Sequence, residues 1–108
     1  MSTVANSLFS IKELLTGYDF IDVVTTDSAL AIIYRGGHIE KAKRGKVVVL
    51  GNNATLVLKV GEDGLVRLEF SDAIKTVERV LSATDYDVIK IREGVIIMIR
   101  FNEGGGDG

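Results

Sequence analysis

Five cations crowd into a twelve-residue stretch: Arg35, Lys41, Lys43, Arg44 and Lys46, set against the single carboxylate of Glu40. The stretch carries +4, so with a net charge of −2 for the whole chain the other 96 residues carry −6. A concentrated positive potential in an acidic chain attracts phosphate, nucleic acid or an acidic surface, and it speaks about association rather than fold. Arginine donates bidentate hydrogen bonds to phosphate, glycines permit close approach, and an aromatic ring next to the block, Tyr34, could stack on an unpaired base. The candidate nucleic-acid-binding residues are therefore Tyr34, Arg35, Lys41, Lys43, Arg44 and Lys46. Single-stranded DNA or RNA is the expected ligand, because no recognition helix for reading a duplex is evident. The same lysines would equally protect an exposed strand edge from aggregation.

Other chemistry finds little support. Gly45-Lys46 is not a phosphate-binding Walker loop, since Glu40 stands where its first glycine is needed and Val47 where a Ser or Thr must follow. One Arg-Gly-Gly is a turn rather than a repeated RGG segment, and the terminal glycines do not lead from a strand into a helix. His38 is the only histidine and there are no cysteines, so thiolate sites, disulfides and two-histidine metal sites are excluded within one chain. Asp19, Asp22 and Asp27 form one acidic group and Asp85 with Asp87 another, both best read as turn and cap residues. No Gly-x-Ser-x-Gly nucleophile motif is present. A non-enzymatic protein without metal or cofactor is expected.

These residues must be carried by short strands. Between Asp19 and Phe70 the chain is punctuated at Arg35-Gly36-Gly37, Arg44-Gly45, Gly51-Asn52-Asn53 and Glu62-Asp63-Gly64, all typical of hairpin turns. Leu56, Leu58 and Val60 alternate with polar neighbours, as do Val66, Leu68 and Phe70, which predicts strands with one wet face. Ser10-Ile11-Lys12-Glu13 has capping-box spacing and Gly17 stops a first short helix. Ser71 or Asp72 would cap a second helix with an apolar stripe of Ala73, Ile74, Val77 and Leu81. Tyr86 to Arg92 and Val95 to Phe101, joined by Glu93-Gly94, predict a terminal hairpin. The expected fold class is α+β: a mostly antiparallel sheet of six to eight strands packed by two helices, as a single domain over residues 1–101. Residues 102–108, rich in glycine and carboxylates, are expected to be a disordered tail.

Val47 to Leu50 and Val95 to Ile99 do not alternate, so they are read as central strands between layers or as a subunit interface. That apolar surplus predicts a homodimer or larger homo-oligomer, and a protein-interaction or assembly module is the alternative to nucleic-acid binding. No apolar run approaches the roughly 18 residues of a membrane span and no signal-peptide pattern opens the chain, so a cytoplasmic location without membrane contact is expected. The absence of Cys, Trp, Pro and Gln fits a thermophile in part, although missing loop prolines run against that trend.

Overall fold

The computed structural model describes residues 11–51 and 53–101. The proposed cap Ser10 and the tail from Asn102 lie outside the described residues. Nine strands follow one helical turn over residues 11–15: β1 Ile21–Thr25, β2 Ala29–Arg35, β3 His38–Lys43, β4 Lys46–Leu50, β5 Ala54–Val60, β6 Val66–Asp72, β7 Thr76–Leu81, β8 Ala83–Ile91 and β9 Gly94–Phe101. They form a four-stranded sheet, β1-β2-β9-β8, and a five-stranded sheet, β3-β4-β5-β6-β7, with every neighbour antiparallel. The chain leaves the first sheet at Gly36-Gly37, runs through the second as a meander, and returns at Ser82. β9 then inserts between β2 and β8, the one pairing that joins the two ends of the chain.

The expectation of one sheet with two packing helices is overturned: the described residues are mostly β, in two sheets, with one short helix among them. Where the sequence suggests a second helix, the chain forms the β6–β7 turn and β7. Asp72 Oδ1 accepts the backbone N–H groups of Ile74 (2.8 Å) and Lys75 (2.9 Å), the pattern expected of a helix cap. The same pattern also closes an Asx turn, and here Asp72 N–H donates to the Lys75 carbonyl, so the chain doubles back as a hairpin. Val77 and Leu81 then face inward at strand spacing, and Ile74 is left 90% exposed. β-Branched Thr76, Val77 and Val80 favour this outcome.

The expected alternation holds. Leu56 and Leu58 of β5 and Val66, Leu68 and Phe70 of β6 are buried, although Val60 at the end of β5 is exposed. Val49 and Leu58 of one sheet and Leu30, Ile32, Ile97 and Ile99 of the other belong to a single buried cluster between the layers. The two non-alternating runs are β4 and β9, each with a neighbour on both sides in its sheet. Val47, Val49, Val95, Ile97 and Ile99 point into the core, while Val48, Leu50, Ile96 and Met98 are half-buried on the outer faces.

Tyr34 connects the two layers. Its ring, carried by β2, is 1% exposed, and its hydroxyl donates a hydrogen bond of 2.5 Å to the Ala54 carbonyl at the start of β5. The Gly51 N–H donates to the same carbonyl at 3.0 Å. Two glycines lie against the ring: a Cβ on Gly51 would overlap the Tyr34 hydroxyl, and one on Gly37 would make a tight contact of about 3.0 Å with the ring. Phe20 stacks on Tyr34 with centroids 5.5 Å apart, and Tyr18 packs between Phe20 and Phe70. The Tyr18 hydroxyl donates to Asp72 Oδ2 at 2.6 Å, tying the segment after the helical turn to the β6–β7 hairpin. Every buried side-chain polar atom among the described residues has a partner. No helix among them is long and apolar enough to cross a membrane.

Tyr34→Phe should lower stability by about 1 kcal/mol, the net worth of one hydrogen bond whose acceptor keeps a second donor. For a domain of this size that is a fall of roughly 4–8 °C in Tm, readable by calorimetry. Gly51→Ala should cost more, since the new methyl displaces a packed ring and overpacking costs about 1–3 kcal/mol or above. Equal melting temperatures for Gly51→Ala and wild type would contradict this packing.

Candidate nucleic-acid interface

The basic block is a hairpin, as expected: β3 and β4 are joined at Arg44-Gly45, with Lys43 paired to Lys46 and Lys41 to Val48. A register shift between Ile39 and Lys41 bulges the strand at Glu40, so Lys41 and Lys43 come to the outer face together. Lys41, Lys43, Arg44 and Lys46 are all exposed, and no ion pair holds any of them among the described residues. Glu40, the one carboxylate of the block, lies 3.9 Å from the His38 ring at the start of β3.

Two members of the sequence-derived set do not join this surface. Tyr34 is core, its ring covered by Phe20 and Gly37 and its hydroxyl bonded to Ala54, so it has no face to offer a base. Its position inside β2 places it on the buried side of a strand whose alternation Leu30, Ile32, Tyr34 is plain only once β2 is delimited. Burial also pushes its hydroxyl pKa up, against a smaller opposing effect of the bond to Ala54. Arg35 is exposed, but it ends β2 in the other sheet and is spent on Asp22 and on the Asp19 carbonyl. Asp22, inside β1, and Asp85 and Asp87, inside β8, are thus strand residues in ion pairs rather than the expected turn and cap residues: Asp22 holds Arg35, and Asp85 and Asp87 flank Arg100 of the neighbouring β9 at 3.5 and 2.7 Å.

The strand register adds cations that sequence spacing does not reveal. Lys43 faces Lys46, Lys46 faces Lys59, and Lys59 faces Arg67, so one outer row crosses β3, β4, β5 and β6 with a positive charge at each step. Adjacent strands lie about 4.8 Å apart, so the row extends about 14 Å. Like charges directly opposite one another destabilise a sheet, and only partial relief is provided. Lys59 Nζ lies 3.9 Å from Glu78, and the Arg67 fork engages both Asp63 oxygens at 2.9 and 3.1 Å. That fork, aided by the Leu65 N–H, lowers the Asp63 pKa from 3.8 to about 2. Hydrogen bonds from Tyr18 first, then from the Lys75 and Ile74 amides, do the same for Asp72, to about 2. Among the described residues no group of His, Asp and Glu is placed to hold a metal ion.

Compared with known protein families, with curated proteins and with solved structures, the chain matches none.

Asp63 and Asp72 hold their charge more tightly folded than unfolded. Their stabilising contribution is therefore complete above about pH 4 and is lost as the pH falls towards about 2. Acid unfolding followed by circular dichroism should show Asp72→Asn less stable than wild type at neutral pH, with the difference shrinking across that window. A difference that stays constant down to pH 2 would contradict the assignment.

Proposed function

We propose that this protein is a small non-enzymatic nucleic-acid-binding protein that holds single-stranded DNA or RNA by its phosphates through the β3–β4 hairpin. The observation that carries the reading is the cluster of Lys41, Lys43, Arg44 and Lys46: four exposed cations without a carboxylate partner among the described residues, in a chain of net charge −2. Leaving such a cluster unneutralised costs repulsion that a bound polyanion removes, releasing counterions as it does so. With Tyr34 in the core, recognition rests on backbone charge rather than on stacking, which favours affinity with little sequence preference.

Replacing Lys41, Lys43, Arg44 and Lys46 together by Glu should abolish oligonucleotide binding while leaving the far-ultraviolet spectrum unchanged, because none of the four is buried. For wild type, three or four phosphate contacts give a slope of about −2 to −3 in a plot of log affinity against log salt, at roughly 0.7 per phosphate. Unchanged binding by the folded four-Glu protein would overturn the proposal.

A second reading, assembly with another copy of the chain, is favoured by the outer face of the four-stranded sheet. There Ile33, Ile96 and Ile89 lie side by side on β2, β9 and β8, next to Val24, Ala31 and Met98. Val24 is 53% and Ile89 43% exposed. Such contiguous apolar surface is characteristic of association sites. Light scattering after size exclusion at micromolar concentration should show a dimer or larger species that Ile89→Lys dissociates; a clean monomer would remove this reading.

A further inference from the structure

The basic hairpin continues into a row of cations whose two far members already have partners, and this difference within one row bears on how a ligand would lie. Lys43 and Lys46 are unpaired among the described residues, whereas Lys59 is faced by Glu78 of β7 and Arg67 by Asp63 of the β5–β6 turn. Both partners are surface carboxylates, with side chains 45% and 46% exposed, so neither pair is shut away from solvent or from a competing anion. The single 3.9 Å contact between Lys59 and Glu78 contributes little to stability and exchanges readily, whereas the bidentate Arg67–Asp63 pair is the stronger of the two and yields only to a ligand that offers the fork an equivalent pair of oxygens. Beside Arg67 the surface opens into a hollow of about 480 Å³ lined by Lys59, Val60, Gly61, Glu62, Asp63 and Arg67. The guanidinium lies over Gly61, where a Cβ would collide with its Nη1, so the fork rests along the wall of an open site rather than reaching into solvent. An arginine fork that donates two parallel hydrogen bonds to a carboxylate donates equally well to a phosphate.

Resting on the nucleic-acid reading above, we infer that the phosphate track runs across the strands from Lys43 and Lys46 through Lys59 to Arg67, and that Glu78 and Asp63 occupy its far half until a single-stranded phosphate backbone displaces them. The two carboxylates then act as internal competitors. They suppress repulsion along the row in the free protein and set how much of the track a weakly bound anion can use. A single strand suits the surface because the row crosses an open sheet face, where a flexible phosphate backbone can follow the cations from strand to strand.

The test is titration of labelled oligothymidylate with the full chain over a series of salt concentrations. Asp63→Asn frees the Arg67 fork, and Glu78→Gln frees Lys59. Each variant should bind more tightly, by about five- to tenfold at roughly 50 mM salt, because the strand no longer has a carboxylate to displace, while the salt slope stays near the wild-type value because the same phosphates are neutralised. Lys59→Gln combined with Arg67→Gln should weaken binding and flatten the slope below the wild-type value. The two carboxylates sit on different elements, so a stability loss in one variant leaves the other to decide. Unchanged affinity in both carboxylate variants and an unchanged slope in the Lys59→Gln/Arg67→Gln protein, with the hairpin four-Glu protein no longer binding, would confine the track to the hairpin and overturn this inference alone. Absence of wild-type binding even at low salt would overturn the nucleic-acid reading and this inference with it. Polyglutamate provides the control for a different occupant: if Asp63→Asn tightens polyglutamate as much as oligothymidylate, the row fits an acidic protein surface and the single-strand assignment fails.

Discussion

The hydrogen bond from Tyr34 to the Ala54 carbonyl holds the rest of the arrangement in place. Two antiparallel sheets can slide over an apolar interface with little change in buried area, because hydrophobic attraction is not directional. A buried hydroxyl aimed at one carbonyl of the opposite sheet is directional, and losing its partner carries a desolvation cost. The ring that carries it packs against Gly37, where the chain enters the five-stranded sheet, and against Gly51, where β4 turns towards β5. Those two points are the roots of the β3–β4 hairpin. A side chain whose place in the sequence suggests a base-stacking platform therefore contributes from behind, by fixing the base of the hairpin whose tip carries the charge.

On the outer face the balance of forces is reversed. Each lysine or arginine in the row from Lys43 to Arg67 stands about 5 Å from the next. Unit charges held at that spacing in water would repel by about 0.8 kcal/mol, less in salt, and the long flexible side chains can spread their charged ends further apart. The fold bears this because the charges are solvated and because Asp63 and Glu78 neutralise two of them. The outer face of the four-stranded sheet has the opposite character: Ile33, Ile96 and Ile89 form an apolar strip bordered by the Asp85, Asp87 and Arg100 ion pairs. Charge-driven and apolar association would thus use different faces, and neither excludes the other.

Much of the strand layout was legible in the sequence because turn chemistry is local: the Arg44-Gly45, Glu62-Asp63-Gly64 and Glu93-Gly94 breaks all join strands where expected. The division into two sheets was not legible, because it depends on β9 pairing with β2 across some sixty residues of intervening chain. Asp72 is ambiguous in sequence because an Asx turn and a helix cap use the same two amides, and only the following residues separate them; Val77 and Leu81 fit a strand as well as a helix. Lys59 and Arg67 are hidden because each is isolated among apolar neighbours in sequence and joins the basic row only through pairing register. Arg35 belongs to the charge cluster in sequence alone, since the chain changes sheets immediately after it.

Amide chemical-shift mapping by NMR during titration with oligothymidylate tests the location of the site most directly. The expected result is a contiguous set of perturbed amides at Lys41 to Lys46, Lys59 and Arg67, with Ile33, Ile89 and Ile96 on the other sheet unmoved. Perturbation centred on that apolar face, or none anywhere at low salt, would contradict the cationic row as the binding surface.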